Sequence, residues 1–191
     1  MKLLKTFALL QNRRAPWLLM AFAALILNLL AHYVFQLHRG LAACELCVYI
    51  RFAMFAVVFG AGLCAIKPDN IILRLLFGYL LTGYGIIQGL IWNIRLERIH
   101  ITLDKLKDGG DFFALGAASQ LCSSEPHYPL DLAFHKWFPS WFNPEGGCGE
   151  VNWSLLGFNM PECLFVFYAI YTLAFILMIL SFIKFGIPKK G

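Results

Sequence analysis

The stretch LAACELCVYIRFAMFAVVFGAGLCAI, residues 41–66, contains the two features that decide the fold. Its longer part, Val48–Ile66, is an apolar run close to the length that a helix needs to cross a membrane, about 20 residues. Cys44 and Cys47 lie three positions apart just before this run, and Arg51 follows one helical turn after Cys47. The sequence therefore predicts a membrane helix that carries a dithiol and a positive charge at one end.

Composition extends this prediction to the whole chain. Of the 191 residues, 60% are hydrophobic and 14% are charged, whereas soluble domains contain roughly 45–50% apolar residues. Three further apolar runs, at about 17–37, 71–94 and 163–187, are also long enough to span a bilayer. Because lipid offers no hydrogen-bond partner to an exposed backbone, each run must be helical. We expect an all-α membrane protein, a four-transmembrane-helix bundle that forms a single membrane domain over residues 1–191.

The distribution of charge predicts the orientation. The basic residues at both ends of the chain and around the turn between the second and third runs are Lys2, Lys5, Arg13, Arg14, Lys67, Arg74, Lys184, Lys189 and Lys190. Asp69 is the one acid among them, whereas residues 95–160 include five basic and eight acidic side chains. By the positive-inside rule, both termini are expected to be cytoplasmic, and the loops at about 38–47 and 95–162 are expected to lie on the outer side. The net charge of +5 is therefore a signal of topology, and it predicts no nucleic-acid partner.

The first apolar run also has features of a cleaved signal peptide. LAAC, residues 41–44, is similar to the cleavage box of a lipoprotein, which would make Cys44 a lipidated N-terminus. However, the run has about 20 residues rather than the 7–15 of a signal peptide. Residues 38–40 also separate the run from the box. We expect the run to be retained as the first membrane helix.

Four of the six cysteines fall on the outer side, where disulfides form: Cys44, Cys47, Cys122 and Cys148. Four cysteines allow three pairings, and sequence alone does not choose among them. A CxxC pair whose second cysteine opens a helix favours a thiolate, because unpaired N–H groups and the helix dipole stabilise negative charge. Arg51 lies on the same helix face as Cys47, about 6 Å deeper, where it can stabilise that charge. Cys64 and Cys163 are expected to be ordinary cysteines, buried or at the rim of the membrane.

Other interpretations of these residues stay open at this point. Arg51 could extend its charge to the lipid headgroups, and the outer cysteines could form purely structural disulfides. A zinc site could use the four outer cysteines or recruit His127 or His135. Cys122 and Cys148 are 26 residues apart, however, and form no second close-spaced pair. Structural disulfides or a zinc site in the outer loops would describe a non-enzymatic membrane protein.

A reactive dithiol beside lipid favours an enzyme instead. It can receive electrons from a soluble dithiol protein and must then deliver them to a stronger oxidant. If that partner has a reduction potential of about −120 mV, glutathione pools at about −180 to −210 mV cannot reoxidise it, whereas a lipid-soluble quinone can. A quinone would meet Cys47 at the end of the helix, with Arg51 stabilising the reduced oxygen.

Several motifs resemble the DsbB family of bacterial inner-membrane disulfide-bond oxidoreductases. CELCVYIRFAMF (44–55), KPDNIILRL (67–75), CSSEP (122–126) and WFNPEGGCG (141–149) are most similar to its DsbI-like branch, and RAPWLLMAF (14–22) extends the likeness to the first helix. The resemblance implies an inner-membrane enzyme that reoxidises a periplasmic thioredoxin-fold thiol oxidase, DsbA-like or DsbL-like. It also implies ubiquinone or menaquinone as the electron acceptor, and no metal.

The same resemblance implies a role for each outer cysteine. Cys122 would form a mixed disulfide with the partner protein. Cys148 would resolve it by passing electrons to Cys44, which leaves Cys47 to react with the quinone beside Arg51. A related class, the vitamin K epoxide reductase-like proteins, also links a CxxC to quinone, but its membrane CxxC lies late in the chain.

One part of the sequence departs from the family pattern. Better-known members have a Glu-His pair at the end of the third helix near the quinone. Here the matching stretch IWNIRLERIH, residues 91–100, has Trp92 and Asn93 at that position and His100 further on. The sequence does not identify a replacement for the family histidine.

The loop before the fourth helix contains HKWFPSWFNP, residues 135–144. Trp137, Phe138, Trp141 and Phe142 recur at the spacing of one apolar face of a short helix. Since Trp is favoured at the membrane interface, we expect this segment to lie on the outer leaflet and to keep Cys148 near the CxxC pair.

Overall fold

A computed structural model of the chain describes residues 2–107, 126–129, 132–147, 154–155 and 157–185. Among these residues, four helical segments are long and apolar enough to cross a membrane: Arg14–His38, Glu45–Ile66, Ile71–Leu103 and Met160–Phe185. The predicted all-α fold with four membrane-spanning helices is therefore confirmed. Cys122 and Cys148 lie outside the described residues.

The described elements follow one another along the chain as α1 (Lys2–Leu10), α2 (Arg14–Leu29), a first π-helical segment (Leu30–His38), α3 (Glu45–Ile66), α4 (Ile71–Leu73), a second π-helical segment (Arg74–Leu81), α5 (Thr82–Lys107), α6 (Phe134–Trp137), α7 (Pro139–Phe142), β1 (Ser154–Leu155), β2 (Phe158–Asn159) and α8 (Met160–Phe185). The two short strands pair in antiparallel register, Ser154 with Asn159 and Leu155 with Phe158. The first span continues from α2 through the first π-helical segment, and the third runs from α4 through the second π-helical segment into α5.

Local signals explain several of these boundaries. The side chain of Asn70 accepts hydrogen bonds from the backbone N–H groups of Ile72 and Leu73, so it caps the third span. The helix α5 ends at Lys107, beyond the predicted residue 94, because the added residues include Leu96 and Ile99, which are buried. This extension shortens the loop that follows the third span.

The chain forms two compact units, and the first comprises Met1–Asn28, Ala53–Gln88 and Phe167–Gly191. One of its core clusters packs Trp17 and Cys64 with small residues and Met178. The Gln11 side chain donates a hydrogen bond to the Met178 carbonyl at 2.8 Å and accepts one from the Tyr79 hydroxyl at 2.5 Å. These polar contacts join elements that are distant in the sequence within an otherwise apolar unit.

The second unit comprises Leu29–Phe52 and Gly89–Val166, and it contains the CxxC pair. Its aromatic cluster joins the start of α3 to the loop: the ring of Tyr128 lies 5.6 Å from Tyr49, 5.5 Å from Phe52 and 6.0 Å from Phe142. The Asn93 side chain donates to the Pro161 carbonyl at 3.0 Å, which ties α5 to the start of α8. That residues 1–191 behave as a single membrane domain stays a prediction.

Candidate active site

The CxxC pair is built into the N-terminus of α3. This helix begins at Glu45 rather than at the predicted Val48, so Cys44 is its N-cap residue and Cys47 lies in its first turn. The Cys44 sulfur accepts a hydrogen bond from the Cys47 N–H at 3.4 Å, in the manner of an N-capping side chain. The earlier start follows because the sulfur satisfies one of the N–H groups that a helix N-terminus leaves unpaired.

The two sulfurs form a close and asymmetric dithiol. Cys44 Sγ donates a hydrogen bond to Cys47 Sγ across 2.9 Å, and Cys44 is buried. The hydrogen bond with Cys47, and then burial, raise the pKa of the Cys44 thiol. Cys44 is thus the sulfur that keeps its proton, and Cys47 is the sulfur that accepts. A negative charge on Cys47 would lie among the N-terminal N–H groups of α3, where the helix dipole favours it.

Arg51 brings a buried positive charge to this dithiol. Its side chain is only 5% exposed. Nη1 donates to Gln36 Oε1 at 2.6 Å, and Nη2 donates to the Ala31 carbonyl at 3.3 Å. Both acceptors are neutral, and no carboxylate in the described part of the chain pairs with this guanidinium. Arg51 follows Cys47 by four positions in α3, which places its charge on the same helix face as that thiol.

Sequence reasoning missed two residues that hold Arg51. Gln36 and His32 lie four positions apart in the first π-helical segment, and His32 Nδ1 is 3.2 Å from the same Gln36 Oε1 that binds Arg51. The His32 ring stacks on Trp141 with centroids 4.0 Å apart. A sequence signal was available, because polar side chains inside a membrane span are rare and commonly functional.

A backbone contact holds the loop against the CxxC pair. The N–H groups of Glu145 and Gly146 both donate to the Ala43 carbonyl, at 2.9 and 3.1 Å, and Cys44 and Gly146 form a parallel β-bridge. A Cβ atom on Gly146 would come within 2.8 Å of the Ala42 carbonyl oxygen, so only glycine fits here. Gly146 precedes Cys148 by two residues in the sequence.

A second set of contacts holds the loop at His127 and Tyr128. The Tyr49 hydroxyl donates to Glu45 Oε1 at 2.8 Å and accepts from the His127 N–H at 2.7 Å. Tyr128 donates its hydroxyl to the Phe142 carbonyl at 2.8 Å, and burial raises the pKa of that hydroxyl, so it stays a donor. His127 follows Cys122 by five residues in the sequence. The described residues next in sequence to both loop cysteines are therefore anchored to α3 or to the two residues that precede it.

The aromatic loop segment is divided in two. The predicted single helix is instead α6 and α7, which are interrupted at Phe138 because a residue before proline is disfavoured in the helical conformation. Trp137 and Phe138 are exposed, whereas Trp141 stacks on His32 and Phe142 is buried. The four aromatic residues therefore do not share one face, and the position of the segment on a leaflet stays a prediction.

Trp92 and Asn93, which were predicted to stand in place of a Glu-His pair, have structural contacts. Trp92 lies with its ring 5.1 Å from that of Tyr49, and Asn93 is fully buried against Pro161. His127 is exposed and His135 is half-buried. In the described ranges, no group of three or more His, Cys, Asp or Glu side chains is placed to hold a metal ion.

A dithiol capped onto the first turn of a membrane helix, with a buried cation beside it, has the chemistry of membrane thiol–disulfide oxidoreductases. The sequence model of one such family, described as Disulfide bond formation protein DsbB, matches residues 13–178. The chain belongs to this family, which confirms both the predicted resemblance and the enzyme class.

Individual relatives point to the DsbI-like branch. The chain is 44% identical over 165 residues to "Putative protein-disulfide oxidoreductase DsbI" of Shewanella oneidensis, an alignment that covers 85% of this chain and 77% of that protein. It is 42% identical over 153 residues to "Protein-disulfide oxidoreductase DsbI" of Lelliottia amnigena, covering 80% of this chain and 66% of the relative. The corresponding protein of Escherichia coli O1:K1 is 43% identical over 139 residues, which are 73% of this chain and 60% of the relative. The chain thus spans between three fifths and about three quarters of the relatives' own lengths.

Proposed function

We propose that this protein is a quinone-dependent protein-disulfide oxidoreductase of the bacterial inner membrane. It reoxidises a periplasmic thioredoxin-fold thiol oxidase, DsbA-like or DsbL-like, and passes the electrons to membrane ubiquinone or menaquinone. The observation that carries this proposal is the asymmetric Cys44–Cys47 dithiol beside the buried Arg51, whose hydrogen-bond acceptors are neutral.

The proposed route begins at the loop cysteines. A thiolate of the reduced partner attacks Cys122 of a Cys122–Cys148 disulfide, and Cys148 leaves as a thiolate. Cys148 then passes the electron pair on by attacking Cys44 of a Cys44–Cys47 disulfide, which releases Cys47 as a thiolate. The Cys44–Gly146 bridge supports this step, because Cys148 follows Gly146 by only two residues in the sequence.

The second half of the route returns the CxxC pair to its oxidised form. The partner's second cysteine first attacks its own sulfur in the mixed disulfide, which releases the oxidised partner and the Cys122 thiolate. Cys122 then attacks Cys148 of the Cys44–Cys148 disulfide, so the loop disulfide forms again and Cys44 is released as a thiol. As the Cys44–Cys47 disulfide forms again, this dithiol gives up two electrons and two protons. A quinone supplies the acceptor for both and leaves as a quinol. Arg51 fits this substrate, because a buried cation that no carboxylate of the described chain neutralises favours negative charge on Cys47 or on a reduced quinone oxygen.

A reconstituted turnover assay tests the proposal. The purified protein in mild detergent is mixed with a reduced thioredoxin-fold oxidase and a short-chain ubiquinone or a menaquinone analogue, and both partner oxidation and quinone reduction are followed. We expect one quinone to be reduced for each partner disulfide formed, and no turnover in Cys47→Ser. Quinone-independent oxidation, or none at all, would contradict the proposal.

A trapping experiment separates this function from a non-enzymatic protein with structural disulfides or a zinc site. A thioredoxin-fold partner that keeps only its nucleophilic cysteine attacks Cys122 of the Cys122–Cys148 disulfide and has no second cysteine to release itself, so we expect a covalent complex that is sensitive to reductant on a gel. A Cys122→Ala variant of this protein is the matched control and forms no such complex. Structural cysteines would give no complex with either protein.

The proposed orientation has both termini in the cytoplasm and the redox cysteines in the periplasm. Single cysteines introduced at Asp69 and at Glu145, in a chain that lacks other accessible thiols, would report the two sides. With a membrane-impermeant thiol reagent on intact spheroplasts, we expect labelling at position 145 and protection at position 69. The opposite pattern would mean that the topology is inverted.

A further inference from the structure

We propose that Gln36 and His32 are positioning residues for Arg51 and that, through Arg51, they set the affinity of the enzyme for quinone. This inference rests on the function proposed above and adds two residues of the first span to the quinone site. It concerns the hydrogen-bonded series Arg51, Gln36 and His32, with Trp141 packed against the last of them.

Gln36 holds Arg51 without neutralising it. Its Oε1 atom accepts from Arg51 Nη1 at 2.6 Å, and its Nε2 atom points toward the Ser140 carbonyl at 3.5 Å. A carboxylate at this position would form an ion pair with the guanidinium and compete with the thiolate and the reduced quinone oxygen for its charge. A neutral amide orients the guanidinium while leaving its charge available to Cys47.

His32 fixes the orientation of the Gln36 amide. The amide oxygen can only accept, so His32 Nδ1, 3.2 Å from that oxygen, must carry the proton of this hydrogen bond. If the amide were flipped, its NH₂ group would face the guanidinium, which has no acceptor. The His32 ring is 3% exposed and stacked on Trp141, so its donor has little freedom to turn away.

Both acceptors of Arg51 come from one unusual backbone segment. Ala31 supplies its carbonyl and Gln36 supplies its side chain, and both belong to the π-helical segment Leu30–His38. Short π-helical turns are rare and are frequent at functional sites. The segment therefore supplies both hydrogen-bond acceptors of the guanidinium, and His32, which belongs to the same segment, contacts the side chain of Gln36.

A merely structural role would also explain why these buried polar residues hydrogen-bond to one another. The test must therefore distinguish stabilisation of the fold from positioning of Arg51. If Gln36 and His32 act through Arg51, their substitution changes the quinone KM only while Arg51 is present. If they only stabilise the fold, their effects persist when Arg51 is removed. A double-mutant cycle measures this difference directly.

The experiment compares Gln36→Leu, Gln36→Glu and His32→Phe, each alone and combined with Arg51→Ala. Steady-state turnover is measured with a short-chain ubiquinone and a reduced thioredoxin-fold oxidase. We expect Gln36→Leu to raise the quinone KM by about tenfold or more, the size of a lost hydrogen bond to a charged group. Gln36→Glu should raise it at least as much, although it retains an acceptor, because it neutralises Arg51. His32→Phe keeps a ring against Trp141 and should raise it by roughly threefold.

Two substitutions elsewhere serve as matched controls. His38→Phe changes an exposed histidine of the same π-helical segment, and Gln88→Leu changes a half-buried glutamine of the third span. Both should leave the quinone KM unchanged. Thermal unfolding of every variant in detergent shows whether a protein is folded, and Gln36→Glu and His32→Phe keep the test decisive if Gln36→Leu does not fold.

The outcomes distinguish this inference from the proposed function. If the unmodified enzyme reduces no quinone, the proposed function fails and this inference fails with it. If the enzyme is active and Arg51→Ala raises the quinone KM, but the Gln36 and His32 variants do not, only the positioning inference is overturned. An equal effect of Gln36→Leu with and without Arg51 would overturn it as well.

Discussion

Two buried arginines, one in each compact unit, illustrate how similar chemistry serves different purposes. Arg74 is fully buried in the first unit, where it donates to the Pro68 carbonyl and, at 2.6 Å, to Asn12 Oδ1. Arg51 in the second unit likewise donates to a carbonyl and to a side-chain amide oxygen. Both cations therefore lie in low-dielectric surroundings with neutral acceptors.

The difference lies in the sulfur chemistry beside each cation. The charge of Arg74 acts on Cys64, which packs among Trp17 and other apolar side chains of a core cluster. Arg51 follows, by one helical turn, a pair of sulfurs that lie 2.9 Å apart at a helix N-terminus. A buried cation alone therefore does not identify a redox site. A paired thiol at a helix terminus must accompany it.

The largest expected effect separates the paired cysteines from the unpaired ones. Serine at Cys44, Cys47, Cys122 or Cys148 should abolish reoxidation of the partner, because each is proposed to carry the electron pair in turn. Serine at Cys64, a core residue, should leave the rate nearly unchanged. The measurement is partner oxidation under quinone-saturated conditions. Full activity in Cys47→Ser would show that the CxxC pair does not carry the electrons.

A large but incomplete effect is expected at Arg51. Arg51→Ala leaves negative charge on Cys47 or on a reduced quinone oxygen uncompensated in a buried site, so the quinone KM should rise by roughly 10–100-fold. Arg51→Lys keeps the charge but loses the planar group that reaches both Gln36 and Ala31. Its quinone KM should therefore lie between those of the wild type and Arg51→Ala. Quinone titrations measure the effect. Mixed-disulfide formation at Cys122 is the internal control and should persist in both variants.

The converse effect is expected at Arg74. Arg74→Ala removes the donors to Pro68 and Asn12, so it should lower the free energy of unfolding by about 2–3 kcal/mol. The quinone KM of the protein that remains folded should be unchanged. Thermal denaturation in detergent and quinone titration of the same preparation test both halves of this prediction. A raised KM with unchanged stability would show that the two arginines are not functionally distinct.

Much of the fold and half of the proposed site could be predicted from the sequence. Run length and hydropathy predict the membrane spans, and the CxxC spacing with Arg51 at the following turn predicts a thiol beside a cation. The start of α3 was predicted three residues late, because a cysteine sulfur acts as the N-cap of the helix. Periodicity does not reveal such a cap.

The rest depends on contacts between distant segments. Gln36 and His32 precede Arg51 by 15 and 19 positions. The hydrogen bond from Arg51 to Gln36, and the one between Gln36 and His32, depend on a π-helical segment that no apolar pattern predicts. Likewise, the contact of Gly146 with Ala43 and Cys44 is a backbone pairing across about a hundred residues. Side-chain identity carries little information about such contacts, because only the folded loop brings the groups together.

The smallest expected effect concerns the loop contact at Tyr49, in the second unit. Tyr49→Phe removes the hydroxyl that accepts from the His127 N–H and donates to Glu45, while the ring contacts with Trp92 and Tyr128 can remain. The loss of about 1 kcal/mol in anchoring should slow transfer from the loop cysteines to the CxxC pair by roughly fivefold.

This effect differs in kind from that of Arg51, because the Tyr49 hydroxyl bonds Glu45 and the loop residue His127 and not the dithiol. The quinone KM should therefore stay at the wild-type value while the rate of disulfide exchange falls. Rapid acid quenching, followed by separation of the disulfide isomers, measures that exchange. Tyr84→Phe, in the third span, is the matched control and should change neither quantity. A raised quinone KM in Tyr49→Phe, with exchange at the normal rate, would mean that this tyrosine supports the quinone side of the site and not the loop.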